Sequence, residues 1–253
     1  MSPASAKTNE NASTASKEEV ARFTAMADAW WDPNGKFKPL HQINPVRIGY
    51  IRDFVCAHHG RDANADKPFD GLKLLDIGCG GGLLCEPMAR LGAAVTGIDA
   101  GDKNIAIAKL HNEQSDLNID YRHQLPEDLA KTKGTYDIVL NMEVIEHVAD
   151  VDAFLAASAS LLKPGGVMML STLNRTLKAF ALAKVGAEYV MRWLPAGTHD
   201  WHKFVKPSEL ASALRPHDVD IKDITGMVYS PFKDEWSLSQ DIDVNYLVAA
   251  LKR

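Results

Sequence analysis

The sequence predicts an α/β fold, a mostly parallel sheet with helices wound on both faces. Three observations carry that expectation. Short apolar runs alternate with helical patterns from residue 72 to about residue 172, the arrangement of repeated strand–helix–strand units. A glycine cluster, Gly78, Gly80, Gly81 and Gly82, stands between the first apolar run and the helical pattern after it. The second apolar run ends in an acid, Asp99, 21 residues beyond Gly78.

The composition fits a soluble domain of ordinary size. With 253 residues, 46% hydrophobic and 24% charged, the chain can bury a large core. The net charge of −5 argues against a broad nucleic-acid footprint, so no nucleic-acid partner is expected. Cys56, Cys79 and Cys85 form no C-x-x-C pair and no disulfide framework, which suggests a reducing compartment. No run approaches the roughly 18 apolar residues of a membrane span.

In chain order, Met1–Ser16 is rich in Ser, Ala, Thr and Asn and reads as a disordered tail without a targeting signature. Residues 17–253 read as one domain, beginning with N-terminal helices over residues 17–60. Val20, Phe23, Ala27 and Trp30 or Trp31 mark the apolar face of a helix from Lys17 to Trp31, Pro39–Pro45 reads as a loop, and a second helix spans about Val46 to His59. Strands are expected at Leu72–Ile77, Ala94–Ile98, Ile119–Tyr121, Thr135–Met142, Val167–Thr172, Val219–Thr225 and Asp243–Ala249, the last two making a hairpin-like finish with one strand antiparallel. Helices are expected near residues 83–91, 103–114, 151–162 and 208–214. Residues 174–200 read as an insertion. From Thr176 to Leu194 it carries an amphipathic pattern, which suits either a membrane surface or ordinary packing on the core.

The glycine loop defines a nucleotide-type site. A backbone free of side chains approaches a ligand closely, and the helix behind it presents unpaired N–H groups. Leu83 occupies the place where a dinucleotide fingerprint needs its third glycine, and no Gly-Lys-Ser/Thr of a phosphate loop follows. Asp76, inside the strand end, would repel a pyrophosphate but suits a ligand bearing an ammonium or sulfonium. Asp99 stands where an acid takes ribose hydroxyls.

The pattern D-x-G-x-G-x-G, with an acid closing the next strand, resembles the class I S-adenosylmethionine (SAM) methyltransferases. That resemblance implies a Rossmann-like, seven-stranded sheet with one antiparallel strand and an N-terminal helical lid. Further segments make it more specific: PLHQINPVRIGYI (39–51), MEVIEHV (142–148), STLNRT (171–176), VGAEY (185–189), GTHDW (197–201), KFVKPSEL (203–210) and DVNY (243–246). These resemble the ubiquinone-biosynthesis O-methyltransferase family, over about Val20 to Tyr246.

The resemblance implies SAM as methyl donor and a polyprenylated phenol or catechol as acceptor, at two O-methylation steps of ubiquinone synthesis. It also places Arg47, Gly78, Asp99 and Met142 against SAM, with Asp76 and Gly80 beside them. A cytoplasmic enzyme visiting the inner face of the membrane, in contact with other proteins of the pathway, follows as an expectation. Glu143, Glu146 and His147, at i, i+3 and i+4, would converge in a helical turn. Three readings stay open there: a Mg²⁺ or Zn²⁺ ion held by all three, His147 as a general base without metal, or a helix cap. The competing functions are methylation of another small phenol at oxygen or carbon, a non-catalytic SAM-binding scaffold, and a nicotinamide oxidoreductase.

Overall fold

The computed structural model describes residues 13–132, 134–182 and 200–253. The centre is an eight-stranded sheet in the order β3-β2-β1-β4-β5-β8-β6-β7. β1 (Lys73–Ile77), β2 (Ala94–Asp99), β3 (Asp120–His123), β4 (Tyr136–Met142) and β5 (Leu162–Leu173) pair in parallel. β8 (Asn245–Lys252) lies antiparallel between β5 and β6 (Val219–Ser230), and β7 (Glu235–Ser239) forms an antiparallel hairpin with β6.

Side-chain alternation explains why both faces are covered. Leu74, Ile138, Leu140, Met169 and Leu247 point into one buried cluster, shared with Ile51, Val55 and Met88 from the helices. Leu75, Ile77, Val139, Met168 and Val248 point into another, shared with Phe154, Leu155 and Leu210. A two-residue period buried on both sides reads as a nearly continuous apolar run, as these strands do.

The strand order reverses between β1 and β4. Crevices open at such a reversal, beyond the carboxyl ends of the strands. The glycine loop after β1, Asp99 at the end of β2 and Met142 at the end of β4 all lie at this rim.

The structure corrects several expectations. The sheet has eight strands, two of them antiparallel in sense, where seven and one were expected. The added strand, EWSLS, is short and has no apolar run; pairing with β6 at the sheet edge makes it a strand. The first helix, α1 (Lys17–Ala25), stops at Met26, and a separate 3-10 turn covers Ala27–Ala29. The loop expected at Pro39–Pro45 is helical: α2 runs from Lys38 to His59 with Pro45 inside it. Pro39 sits in its first turn, where a missing N–H costs nothing. A short helix, α5 (Pro126–Ala130), adds to α3 (Cys85–Arg90), α4 (Asp102–Ser115), α6 (Val151–Leu161) and α8 (Pro207–Leu214).

Most of the tail expected at Met1–Ser16 lies outside the described residues, but its end is tied down. Thr14 is buried, its N–H and hydroxyl donate to the Glu127 carboxylate, and its carbonyl accepts from Ala149 N–H. In the segment expected at Thr176–Leu194, a short helical piece, α7 (Leu177–Ala179), is described, and residues 183–199 lie outside the described residues. Among the described residues, no helix is long and apolar enough to cross a membrane.

Candidate active site

A cavity of about 620 Å³ opens at the sheet rim, a volume typical of small-molecule sites. Its polar lining includes Asp76, Asp99, Asn104, Arg47, Glu143 and Glu146, and its apolar lining includes Leu40 and Ile43 of α2 and Met227, Tyr229 and Trp236 of the β6–β7 hairpin.

The glycine loop has the backbone that its composition implies. Gly78 and Gly80 both have positive φ, +73° and +54°. A Cβ on Gly78 would lie 2.5 Å from Val144, and one on Gly80 would strike the Trp30 ring. Trp30 is held there by a relay: its indole N–H donates to Asn104 Oδ1 (3.0 Å), and Asn104 Nδ2 donates to Asp99 Oδ1 (3.0 Å). Asp99 also accepts from the N–H groups of Gly80 (2.9 Å) and Gly101 (2.7 Å). Trp31 N–H donates to Gly81 O. The two tryptophans thus clamp the loop from the N-terminal side. Sequence reading had assigned them only to an apolar face, and Asn104 to no role.

Asp76 is buried and accepts from the Cys85 thiol at 3.2 Å. Burial raises its pKa to about 7, with the nearby Asp99 adding to the effect. Burial also pushes Asp99 up, against the lowering of its three hydrogen bonds. Both acids favour a cationic neighbour. The Cys79 thiol is pushed up to about 11 by burial, so it is a space-filling residue of the loop and a poor nucleophile.

Arg47 is buried within α2 and donates to Glu143 Oε1 at 2.8 Å. Met142 is buried at the end of β4 and lines the cavity.

Glu143, Glu146 and His147 do not converge as a helical turn would make them. Glu143 takes a left-handed conformation (φ +57°), its N–H bonded back to Ser171, and only Ile145–His147 form a 3-10 turn. Glu143 meets Arg47 and lies against Glu146, Glu146 Oε2 accepts from Thr172 Oγ1 (2.8 Å), and His147 Nδ1 turns to Glu19 Oε2 (3.0 Å). Among the described residues no three His, Cys, Asp or Glu side chains are grouped to hold a metal ion. The trio as arranged does not fit a shared Mg²⁺ or Zn²⁺.

Burial, reinforced by the Glu143 charge, pushes the Glu146 carboxyl well above the usual range. At Glu19 burial pushes up, but the hydrogen bond from His147 and the charges of His147, Arg22 and Lys203 outweigh it, so its pKa falls. Glu19, from α1, is a site residue that sequence reading missed. Its only signal was position: an acid in the first turn of a helix looks like a cap.

Among the described residues, four cavity-lining side chains carry a shielded polar atom without a hydrogen-bond partner: Asn44 Oδ1, Arg47 Nε, Glu146 Oε1 and Trp236 Nε1. Buried polar groups are nearly always paired, so the set describes what a ligand must supply. An acceptor for Arg47 and a cation beside Asp76 are what the amino-acid end of SAM offers, and Asp99 at the loop suits its ribose. These residues fit SAM.

Residues 49–221 match a family model described as a methyltransferase domain. The chain is 58% identical to a ubiquinone biosynthesis O-methyltransferase of Paramagnetospirillum magneticum, over 94% of this chain and 96% of that one. It is 59% identical to the Chelativorans sp. protein of the same name, over 92% of each chain. Among solved structures it resembles magnesium protoporphyrin IX methyltransferase from Synechocystis PCC 6803 with bound SAH, with a TM-score of 0.63 and 21% identity over 93% of this chain and 94% of that one. A plantazolicin methyltransferase, also with SAH, gives 0.61 at 16% identity, over 93% and 98% of the two chains. Those two likenesses show the shared fold, while the close relatives show the lineage: this chain belongs to the ubiquinone biosynthesis O-methyltransferase family of SAM-dependent methyltransferases.

Proposed function

We propose that the chain methylates a ring hydroxyl of polyprenylated catechol and quinol intermediates, 2-polyprenyl-6-hydroxyphenol and 3-demethylubiquinol, in ubiquinone biosynthesis. The observation that supports this most is the cavity itself. Acids suited to a cationic methyl donor run directly into an apolar wall suited to a prenylated ring. SAM, when bound, supplies a methyl group on a sulfonium, open to in-line attack by the phenol oxygen.

The protein's own work is positioning and proton handling. Arg47 holds the donor's carboxylate by charge-assisted hydrogen bonds, Asp99 its ribose, and Asp76 lies near its positive end. Gly78 and Gly80 let the backbone approach, and Met142 gives a soft surface to the adenine. A phenol with a pKa of about 10 is mostly protonated at neutral pH, so the reaction needs a base. His147 serves: Glu19 fixes its Nδ1, which leaves Nε2 to take the proton, an orientation device common to catalytic histidines. Glu146 Oε1, shielded and unpaired, accepts a hydrogen bond from the acceptor ring.

Residues 17–253 act as one methyltransferase domain, with α1 and α2 closing the site. Leu177 and Leu182, at 81% and 52% exposure, flank the cavity side that carries Lys178. They support peripheral contact with the inner face of the membrane, where a prenylated substrate resides. Incubating the protein with SAM and a farnesylated catechol, followed by mass spectrometry, tests the activity: a singly O-methylated ring is expected. Its absence, with methylation of soluble catechols alone, would move the function to small phenols. Co-sedimentation with anionic liposomes tests the membrane contact, and protein left in the supernatant would reject it.

A further inference from the structure

We propose that the indole N–H of Trp236 donates a hydrogen bond to a ring oxygen of the acceptor substrate, which makes Trp236 a specificity-determining residue. This rests on the reading of the cavity as a phenol-methylating site.

In the β6–β7 hairpin Tyr229 pairs with Trp236, and their rings meet at 5.5 Å. Trp236 packs against the cluster that contains Ile43 and Met227, so the apolar body of the indole belongs to the cavity wall. Its Nε1 is shielded from water and has no partner. Gln42 of α2 donates to Asp234 Oδ1 in the hairpin turn and Tyr229 O–H donates to the same oxygen, which ties the hairpin to α2. Arg47 and Asn44 stand on that same helix, so α2 contacts both the donor pocket and the hairpin that carries the indole.

The chemistry follows by assigning each unpaired atom. Arg47 Nε and Asn44 Oδ1 suit the carboxylate and ammonium of SAM, and Glu146 Oε1 suits a hydroxyl donor. That leaves one donor, Trp236 Nε1, on a cavity-lining aromatic residue packed against the cluster of Ile43 and Met227. Its complement is an oxygen on an otherwise apolar ring, which a catechol or quinol carries in addition to the hydroxyl being methylated. Tryptophan gives such a ring a flat apolar face and a single directional donor.

The decisive variants are Trp236→Phe and replacement of Trp236 by benzothienylalanine, which keeps the bicyclic shape and removes the N–H. Loss of one neutral hydrogen bond should raise KM for a farnesylated catechol by roughly 3- to 10-fold. KM for SAM and the melting temperature should stay as in the wild type, which a merely structural role would not allow. An unchanged catechol KM in the benzothienyl variant overturns the proposal, as does a parallel rise in both KM values. If the wild-type protein transfers no methyl group, the proposed function fails. Calorimetric binding of the same catechol to the wild-type and benzothienyl proteins then decides the indole's role: equal affinity rejects it, and weaker affinity in the variant upholds it.

Discussion

Replacing Arg47 by methionine tests the polar end of the site through two independent readouts. Its side chain is 4% exposed and that of Glu143 22%, with 2.8 Å between the charged groups. Removing the cation leaves Glu143 facing Glu146, whose proton affinity Glu143 already raises. Breaking a buried pair costs about 3 to 5 kcal/mol, and the partial exposure of Glu143 places this case near the lower figure. For a chain of this size, about 3 kcal/mol corresponds to a fall in melting temperature of roughly 6 to 12 °C. Arg47→Met combined with Glu143→Gln should recover most of that loss, because no uncompensated charge remains. The second readout is SAM affinity, which should fall about 10- to 100-fold in both proteins through loss of charge-assisted hydrogen bonds. Thermal unfolding and calorimetry measure the two effects. Strictly additive stability losses, or undiminished SAM binding by Arg47→Met, would refute the reasoning.

Further outcomes follow from the same geometry. Asp76, with its pKa near 7 in the protein without ligand, should ionise more fully beside a cationic donor. SAM binding near pH 6 should therefore release protons and tighten as pH rises toward 7, and Asp76→Asn should flatten that dependence, as calorimetry in buffers of different ionisation enthalpy would show. Glu146 is also raised, so the folded state binds its proton more tightly than the unfolded chain does. Its contribution to stability is thus greatest below the ordinary glutamate pKa and is lost as pH rises above it. Denaturant titrations should show Glu146→Gln losing that slope. Gly80→Val should abolish SAM binding, since the side chain needs a strained positive φ and meets Trp30; retained binding by calorimetry would contradict this. Glu19→Gln should lower kcat through loss of His147 orientation and leave KM for SAM within about twofold, a change of under ~0.5 kcal/mol.

The parallel half of the fold was legible because strands buried on both faces, such as Leu74–Ile77 and Ile138–Met142, are apolar runs interrupted only by Asp76 and Asn141. The donor pocket was legible for a related reason: Asp76, Gly78, Gly80 and Asp99 are adjacent to those runs in sequence. What stayed hidden depends on distant contacts. β7 becomes a strand only by pairing with β6, and Pro45 gave a loop signal that the packing of α2 overrides. Glu19 reaches His147 across 128 residues, and Trp236 reaches the cavity from the opposite end of the chain. The 143–147 run misled because its spacing assumed a helical turn, whereas Glu143 adopts a left-handed backbone.

The measurement closest to the centre of this account is a calorimetric titration of SAM into the wild-type protein beside Asp99→Ala. A saturable isotherm with one SAM per chain for the wild type, and a loss of affinity on removing the Asp99 carboxylate, is what the rim pocket predicts. No heat for the wild type, or equal affinity in both proteins, would contradict it.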